Sequence, residues 1–406
     1  MSHKKELIKN FLSFGAVDIL GLLIPIITMP ILTRALGPSQ YGVYMLLLAI
    51  LFFGHTIIDY GTQYTAVRKL ANQRHNALEV SHIYKHTQGL RIFLCVFYSL
   101  GAILYSYFLS FDNAVLYILF ASSTYLLGYA LTPIWFFQGI GAVEQAMKVS
   151  LTIKLINLLV IIFAVNTPED LNIVVASFCI PMFLGGVYLS RLAFVRYRVA
   201  HPEFSQLKKS LYEGRDVFIG LLAPNFYNAM PTIALGALYS PADFVNFAIA
   251  SRLASVVVTI QDVAAKAIYP IIARVKESQV TKLLILNGLL SLIPILILFI
   301  FGDWILNIFL GKDFTEVNTY LVVFTIGVMF IGLSNAISKG YLLPHGYDSL
   351  YRDISLRVSI ISAIVCIAGI YFWGLLGGAL AITIARLTFF LDYARTYLKL
   401  RRINRG

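Results

Sequence analysis

Twelve apolar stretches, each long enough to cross a bilayer as a helix, are joined by short links that alternate between rich and nearly empty in Lys and Arg. A hydrocarbon layer about 30 Å thick is crossed by roughly 20 apolar residues of helix. On that scale the spans fall near 11–35, 42–66, 88–110, 114–137, 144–165, 171–194, 216–239, 243–270, 283–309, 317–338, 353–373 and 376–398. At 59% hydrophobic and 13% charged, the 406 residues leave no room for a sizeable soluble domain. The expected fold is an all-α polytopic membrane protein.

Lys and Arg near span ends are retained on the cytoplasmic side, so their distribution predicts orientation. Twenty-five of the 32 fall on the side of the N-terminus, Arg91 among them; Arg34 and Lys312 fall on the other, and five lie inside spans. Both termini are therefore expected in the cytoplasm. The net charge of +12 follows from this asymmetry rather than from nucleic-acid binding, because the bases are scattered over short loops. The first span, preceded by Lys4, Lys5 and Lys9, is too long for a signal-peptide core and is expected to stay as an anchor. Cys95, Cys179 and Cys366 all fall inside spans, where they read as small apolar residues without disulfide or metal spacing.

The outer links, about 36–41, 111–113, 166–170, 240–242, 310–316 and 374–375, are too short for an external catalytic head. This argues against a membrane glycan polymerase or ligase. The inner links 67–87 and 195–215 are longer. In the second, Phe204, Leu207 and Leu211 recur at helical spacing beside Lys208 and Lys209, fitting a short interfacial helix or a plain solvated linker. No nucleotide-binding loop, zinc-protease His pair or nucleophile elbow occurs, and His82 and His86, four apart, lack a third ligand. The work of the chain is expected to draw on ion or substrate gradients, with H+ or Na+ as the coupling ion and no cofactor.

A shift of 203 residues lays the second six spans over the first: Pro38 falls on Pro241, Tyr41 on Phe244, Tyr44 on Phe247 and Lys154 on Arg357. With an even number of spans in each copy, the repeats are parallel, about an axis along the membrane normal. The expected organisation is an N-lobe (1–194), a cytoplasmic linker (195–215) and a C-lobe (216–406) around a central cavity. Gly21, Pro25 and Pro30 in the first span, with Pro224 and Pro231 in the seventh, read as matched hinges or as Pro and Gly that membrane helices simply tolerate.

A charge at mid-membrane costs about 2.5–3.5 kcal/mol on insertion scales, so each such residue faces protein or water. In the eighth span Arg252, Ser255, Thr259, Asp262 and Lys266 share one helical face, which lines a cavity or forms a seam with Asp262 and Lys266 paired. Lys154 and Arg357 have no acid nearby in sequence, and Arg386 has only Asp392, at poor helical spacing. Bases of this kind in several helices fit an anionic, phosphate-bearing ligand, with Arg252, Lys154, Arg357, Arg386 and Lys266 as candidate contacts. Asp18, Asp59 and Asp262 are candidates for ion coupling; Asp59, in a stripe with His55 and Gln63, equally fits an interhelical salt bridge. Tyr125, Tyr129 and Tyr227 are candidates for stacking on sugars.

The segments LTRALGPSQYGVY (Leu32 to Tyr44), PIWFFQG (Pro133 to Gly139), NFAIASR (Asn246 to Arg252) and AIYP (Ala267 to Pro270), with twelve spans in two lobes, resemble the Wzx family of O-antigen and polysaccharide flippases. These share a superfamily with multidrug extruders and lipid II flippases. The resemblance covers the whole chain. It implies a bacterial inner-membrane protein that moves an undecaprenyl-pyrophosphate-linked oligosaccharide across the membrane, beside a polysaccharide polymerase and a chain-length regulator. Membrane lipids are the other expected partner, and nucleic acid is not. Arg252 matches the eighth-span base of lipid II flippases, whereas Asp18 and Asp59 stand where those carry cavity arginines, which shifts the N-lobe contribution to Lys154. The alternative is a cation-coupled multidrug extruder of the same superfamily, which would use acids such as Asp59.

Overall fold

The computed structural model describes residues 3–275, 280–314, 316–342 and 347–403; the side chains of 3–20, 22, 223–224, 262–275, 282, 339, 348 and 403 lie outside that description. Every regular element among the described residues is helical: α1 His3–Asp59, α2 Thr62–Gln73, α3 Ala77–Ser106, α4 Ala114–Ala121, α5 Leu127–Leu131, α6 Ile134–Gly139, α7 Val143–Ala164, α8 Leu171–Tyr197, α9 Leu207–Leu238, α10 Pro241–Val275, α11 Val280–Leu310, α12 Val317–Ile337 and α13 Asp348–Ile403. The chain divides into two compact units, Met1–Leu222 and Ala223–Gly406, with the boundary inside α9.

Among the described residues nine helical runs are long and apolar enough to cross a membrane, so the chain is a multi-pass membrane protein. Two of these runs, Leu23–Gln73 and Ser349–Arg402, hold 51 and 54 residues. A straight helix of that length would measure about 75–80 Å, more than twice the hydrocarbon thickness. Each turns at a glycine at a predicted outer turn, Gly37 (φ 65°, ψ 177°) and Gly374 (φ 56°, ψ −129°), and the first breaks again at Tyr60 and Gly61. At Gly374 the chain reverses. Gly369 and Gly377 meet backbone to backbone, and Tyr351 lies beside Tyr393 at 6.1 Å between ring centroids, so α13 is a helical hairpin. A side chain at Gly374 would strike the Tyr239 hydroxyl, whereas one at Gly37 would meet open space. Both glycines supply positive φ, and the second also supplies room.

The helix breaks do not fall at the predicted proline hinges. The α1 helix continues through Pro25 and Pro30, and α8 through Pro181. Breaks occur at left-handed Tyr60 and Gly61 and at Thr132–Pro133. The second span, expected to run to 66, thus stops at Asp59 and resumes as α2, and the link expected at 67–87 is mostly helix. The fourth span is α4, a π-turn at Ser122–Leu126, α5 and, past the break, α6. The 195–215 link holds no separate interfacial helix: Phe204 precedes the first turn of α9, while Lys208, Lys209 and Leu211 lie on it.

Aromatic motifs form the core of each unit. Trp135, Phe136 and Phe137 of α6 pack with Leu70, Tyr84 and Leu189 in the first. Tyr227, Phe389 and Tyr393 pack with Ile354 and Leu342 in the second. The two copies of the repeated outer-turn motif are buried alike at Tyr41, Tyr44, Phe244 and Phe247. They start their second helices differently. The first copy relies on Gly37, and the second caps α10 with Ser240, whose Oγ accepts from the Asp243 amide at 3.3 Å and donates to the Asp243 carboxylate at 2.6 Å.

Candidate functional site

The most fully built polar site of the first unit follows from one proline. Pro133 has no amide hydrogen to return to Tyr129, whose carbonyl accepts instead from the Thr132 amide at 3.1 Å, and it drives Thr132 out of the helical region (ψ 97°), so the last carbonyls of α5 lose their usual helical donors. Neighbouring helices supply the donors. Arg91 Nη2 bonds the Tyr129 carbonyl at 3.0 Å, Gln88 Nε2 that of Ala130 at 2.6 Å, and Ser190 Oγ that of Leu131 at 2.6 Å. Gly128 and Gly186 let α5 and α8 approach backbone to backbone for this.

Arg91 also holds Asp59. Its Nη1 lies 2.7 Å from Asp59 Oδ1 and 3.2 Å from Thr62 Oγ1, and Thr62 Oγ1 donates to the same carboxylate oxygen at 3.1 Å. The Tyr129 ring lies 5.3 Å from the guanidinium, and His55 stacks on that ring at 3.7 Å. The pair is almost out of solvent, with side-chain exposures of 3% for Arg91 and 11% for Asp59. The interhelical salt bridge left open for Asp59 is therefore present, and its partner corrects the loop count: Arg91 is an interior base, not a cytoplasmic one. The signal was available as Gln88 and Arg91 one helical turn apart in a predicted span, with Asp59 in the span before.

Lys154 on α7 reaches α1, where its Nζ lies against Gly21, a position at which a Cβ would sit 2.8 Å from it. Asp18 is one turn from Gly21, but its side chain lies outside the described residues, as do those of Asp262 and Lys266. Arg252 is half-buried on α10. The hydroxyls predicted to share its cavity face bond their own helix instead, Ser255 to the Arg252 carbonyl at 2.6 Å and Thr259 to that of Ser255 at 2.9 Å.

In the second unit the two remaining bases part ways. Arg357, expected to lack an acid, is paired across the α13 hairpin with Asp392, at 3.0 Å from Nε and 2.5 Å from Nη2. That leaves Arg386 without the neighbour proposed for it. Arg386 is 8% exposed, and its Nη2 bonds Asn228 Oδ1 of α9 at 3.3 Å. Its Nε and Nη1 have no hydrogen-bond partner among the described residues. Gly327 of α12 makes the room, since a Cβ there would lie 3.2 Å from the Arg386 Cδ.

Sequence reasoning missed a second buried polar contact. Gln261 of α10, fully buried, bonds Ser291 of α11 at 2.7 Å. Of the tyrosines considered as sugar platforms, Tyr125 stacks on Phe178 (4.5 Å) and Tyr129 on His55, and Tyr227 is buried beside Phe389 (5.2 Å), so each of these rings packs against protein.

Three comparisons bear on this arrangement. A family model described as polysaccharide biosynthesis protein matches residues 7–276. A putative O-antigen transporter of Escherichia coli (strain K12) is 22% identical over 377 residues, covering 90% of each chain. One from Shigella dysenteriae is 24% identical over 390 residues, covering 93% of this chain and 96% of its own. Among solved structures, an inward-facing multidrug resistance MATE family transporter of the MOP superfamily superposes with a TM-score of 0.71 at 14% identity, covering 94% of this chain and 96% of that one. A lipid II flippase in an inward closed conformation gives 0.69 at 14%, covering 94% and 87%.

Proposed function

The chain belongs to the polysaccharide biosynthesis protein family, polytopic membrane transporters rather than enzymes, and from that premise we propose that it is a flippase for a lipid-linked oligosaccharide. The substrate class is an undecaprenyl-pyrophosphate-linked repeat unit of O-antigen or a related polysaccharide, carried from the cytoplasmic to the outer leaflet of a bacterial inner membrane. Counting each glycine-broken run as two crossings and adding α9 gives twelve spans. In this proposal the spans make two six-helix lobes, with both termini cytoplasmic, that alternate access to the two sides of the membrane.

The observation that carries the anionic substrate is Arg386: a permanent charge 8% exposed, inside a span, with two nitrogens unpartnered among the described residues. Such a group is costly unless a counter-charge arrives, and a pyrophosphate offers oxygens for charge-assisted hydrogen bonds. Arg252, Lys154 and Lys266 add positive charge, and Arg357, already neutralised by Asp392, adds less. Asp18 and Asp262 are the carboxylates for ion coupling, with Asp59 behind them because Arg91 holds it. The multidrug-extruder reading draws on the likeness in fold, but the acid it would use first, Asp59, is held by a base.

The test is Arg386→Ala and Arg386→Lys in the native host, at matched membrane levels. Loss of surface glycan with lipid-linked oligosaccharide accumulating on the cytoplasmic face, milder for Lys, is expected. Normal glycan with lost resistance to cationic dyes would favour the extruder.

A further inference from the structure

Between the two arms of the α13 hairpin, away from Gly374, lies a cavity of about 880 Å3. Asp353 and Arg357 line it from one arm, and Thr388, Asp392, Arg395 and Lys399 from the other. The second set is spaced by 4, 3 and 4 residues, a single helical stripe that aims these side chains at one wall. Its charges do not balance. Asp392 is neutralised by Arg357, and Asp353 by Arg352 at 2.9 Å. Arg395 and Lys399 are exposed and form no salt bridge among the described residues. Like charges at i, i+4 repel, so an anion held between them relieves a real strain.

The remaining wall is apolar, with Leu350, Ile354, Leu391 and Leu400. Leu391 of that wall is 56% exposed and Leu398, just outside it on the same arm, is 55% exposed, a surface suited to acyl chains. The volume lies in the range of about 300–1,000 Å3 typical of small-molecule sites, far beyond the need of a bare phosphate ion. Arg386, on the same arm, is buried and does not line the cavity.

We propose that this groove binds the headgroup of an anionic phospholipid, its phosphodiester between Arg395 and Lys399, its glycerol against the apolar wall. The site shares Arg357, already paired with Asp392, with the candidate substrate bases but takes none of Arg386, Arg252, Lys154 or Lys266, and it rests on the proposed topology only for the leaflet, the cytoplasmic one, that supplies the lipid. Basic pockets between transmembrane helices recognise anionic headgroups through the same charge and geometry.

The experiment is native mass spectrometry of the purified full-length protein with phosphatidylglycerol, phosphatidylethanolamine, a polyprenyl diphosphate and inorganic phosphate as separate probes. Wild type should retain phosphatidylglycerol about tenfold or more over phosphatidylethanolamine, and Arg395→Ala with Lys399→Ala should erase the preference. Arg395→Lys with Lys399→Arg should keep it. Should the double variant fail to fold, Lys399→Glu alone should lower retention several-fold. Equal retention of both lipids, or retention unchanged by these variants, would overturn the proposal. So would displacement of the lipid by polyprenyl diphosphate or by phosphate alone in a manner that depends on Arg395 and Lys399. The readout needs no transport, so its failure would leave the flippase reading standing, and failure of that reading would leave this site standing.

Discussion

Each unit buries an arginine in a span, and the two are treated in opposite ways. Arg91 meets a carboxylate, a hydroxyl, a backbone carbonyl and an aromatic ring within hydrogen-bonding or cation–π reach. Arg386 meets one amide oxygen at 3.3 Å and keeps two nitrogens without a partner among the described residues. Burial alone therefore does not identify a ligand-binding base. What distinguishes the two is the state of their donors: in the first unit a proline-freed helix end uses them for structure, and in the second they are left available.

The contrast can be broken most severely at Arg91. Arg91→Met leaves the Asp59 carboxylate without its base and removes one donor from the Tyr129 carbonyl, and breaking such a buried pair typically costs about 3–5 kcal/mol. The expected result is little folded protein in membranes, with partial recovery when Asp59→Asn is added; normal yield of the single variant would show that the pair is not structural. Next comes the glycine comparison. Gly374→Ala adds a clash with the Tyr239 hydroxyl to positive-φ strain, for about 2–3 kcal/mol, whereas Gly37→Ala carries only the strain, about 1 kcal/mol. Thermal unfolding in detergent should rank them in that order. Ser190→Ala removes one donor from the Leu131 carbonyl and should cost about 0.6–1.7 kcal/mol by the same measurement.

The smallest effect concerns the segment between α8 and α9. The Glu203 amide donates to the Lys85 carbonyl at 3.0 Å and its carboxylate meets Lys85 Nζ at 2.6 Å, which ties 198–206 along α3. Hydrogen bonds from Lys85 and Ser205 hold the Glu203 carboxyl well below its ordinary 4.5, at about 2. A lowered folded-state value means stabilisation present above 4.5 and lost as pH falls from there toward 2. Protection from hydrogen exchange at 198–206, after correction for the intrinsic pH dependence of amide exchange, should fall through that window in the wild type and stay level in Glu203→Gln.

The membrane class of the fold was legible in the sequence because apolar length and basic alternation are properties of composition along the chain. The places where helices break were not. Pro25, Pro30 and Pro181 stay within helices, while Tyr60, an aromatic residue, adopts a positive φ of 47°. Whether a proline interrupts a membrane helix depends on whether other helices can meet the freed carbonyls, a tertiary fact. The polar sites show the same division. That Asp59 and the bases of the later spans need company followed from the cost of buried charge. Which partner each takes did not: Arg357 reaches Asp392 only because Gly374 folds α13 on itself, 35 residues apart in sequence. Arg91 looked like a loop base because it stands near a predicted span end, and only the carbonyls freed by Pro133 reveal its role.

The most direct measurement is made on Arg386→Met, scoring thermal unfolding and translocation of lipid-linked oligosaccharide in reconstituted vesicles on the same preparation. Replacing a poorly satisfied buried base by an apolar side chain of similar size should leave stability unchanged or raise it by about 1–4 kcal/mol. Translocation should fall by at least about tenfold, the loss of one charge-assisted contact. A variant that unfolds but flips normally per folded molecule would contradict the account, because Arg386 would then be a structural residue like Arg91.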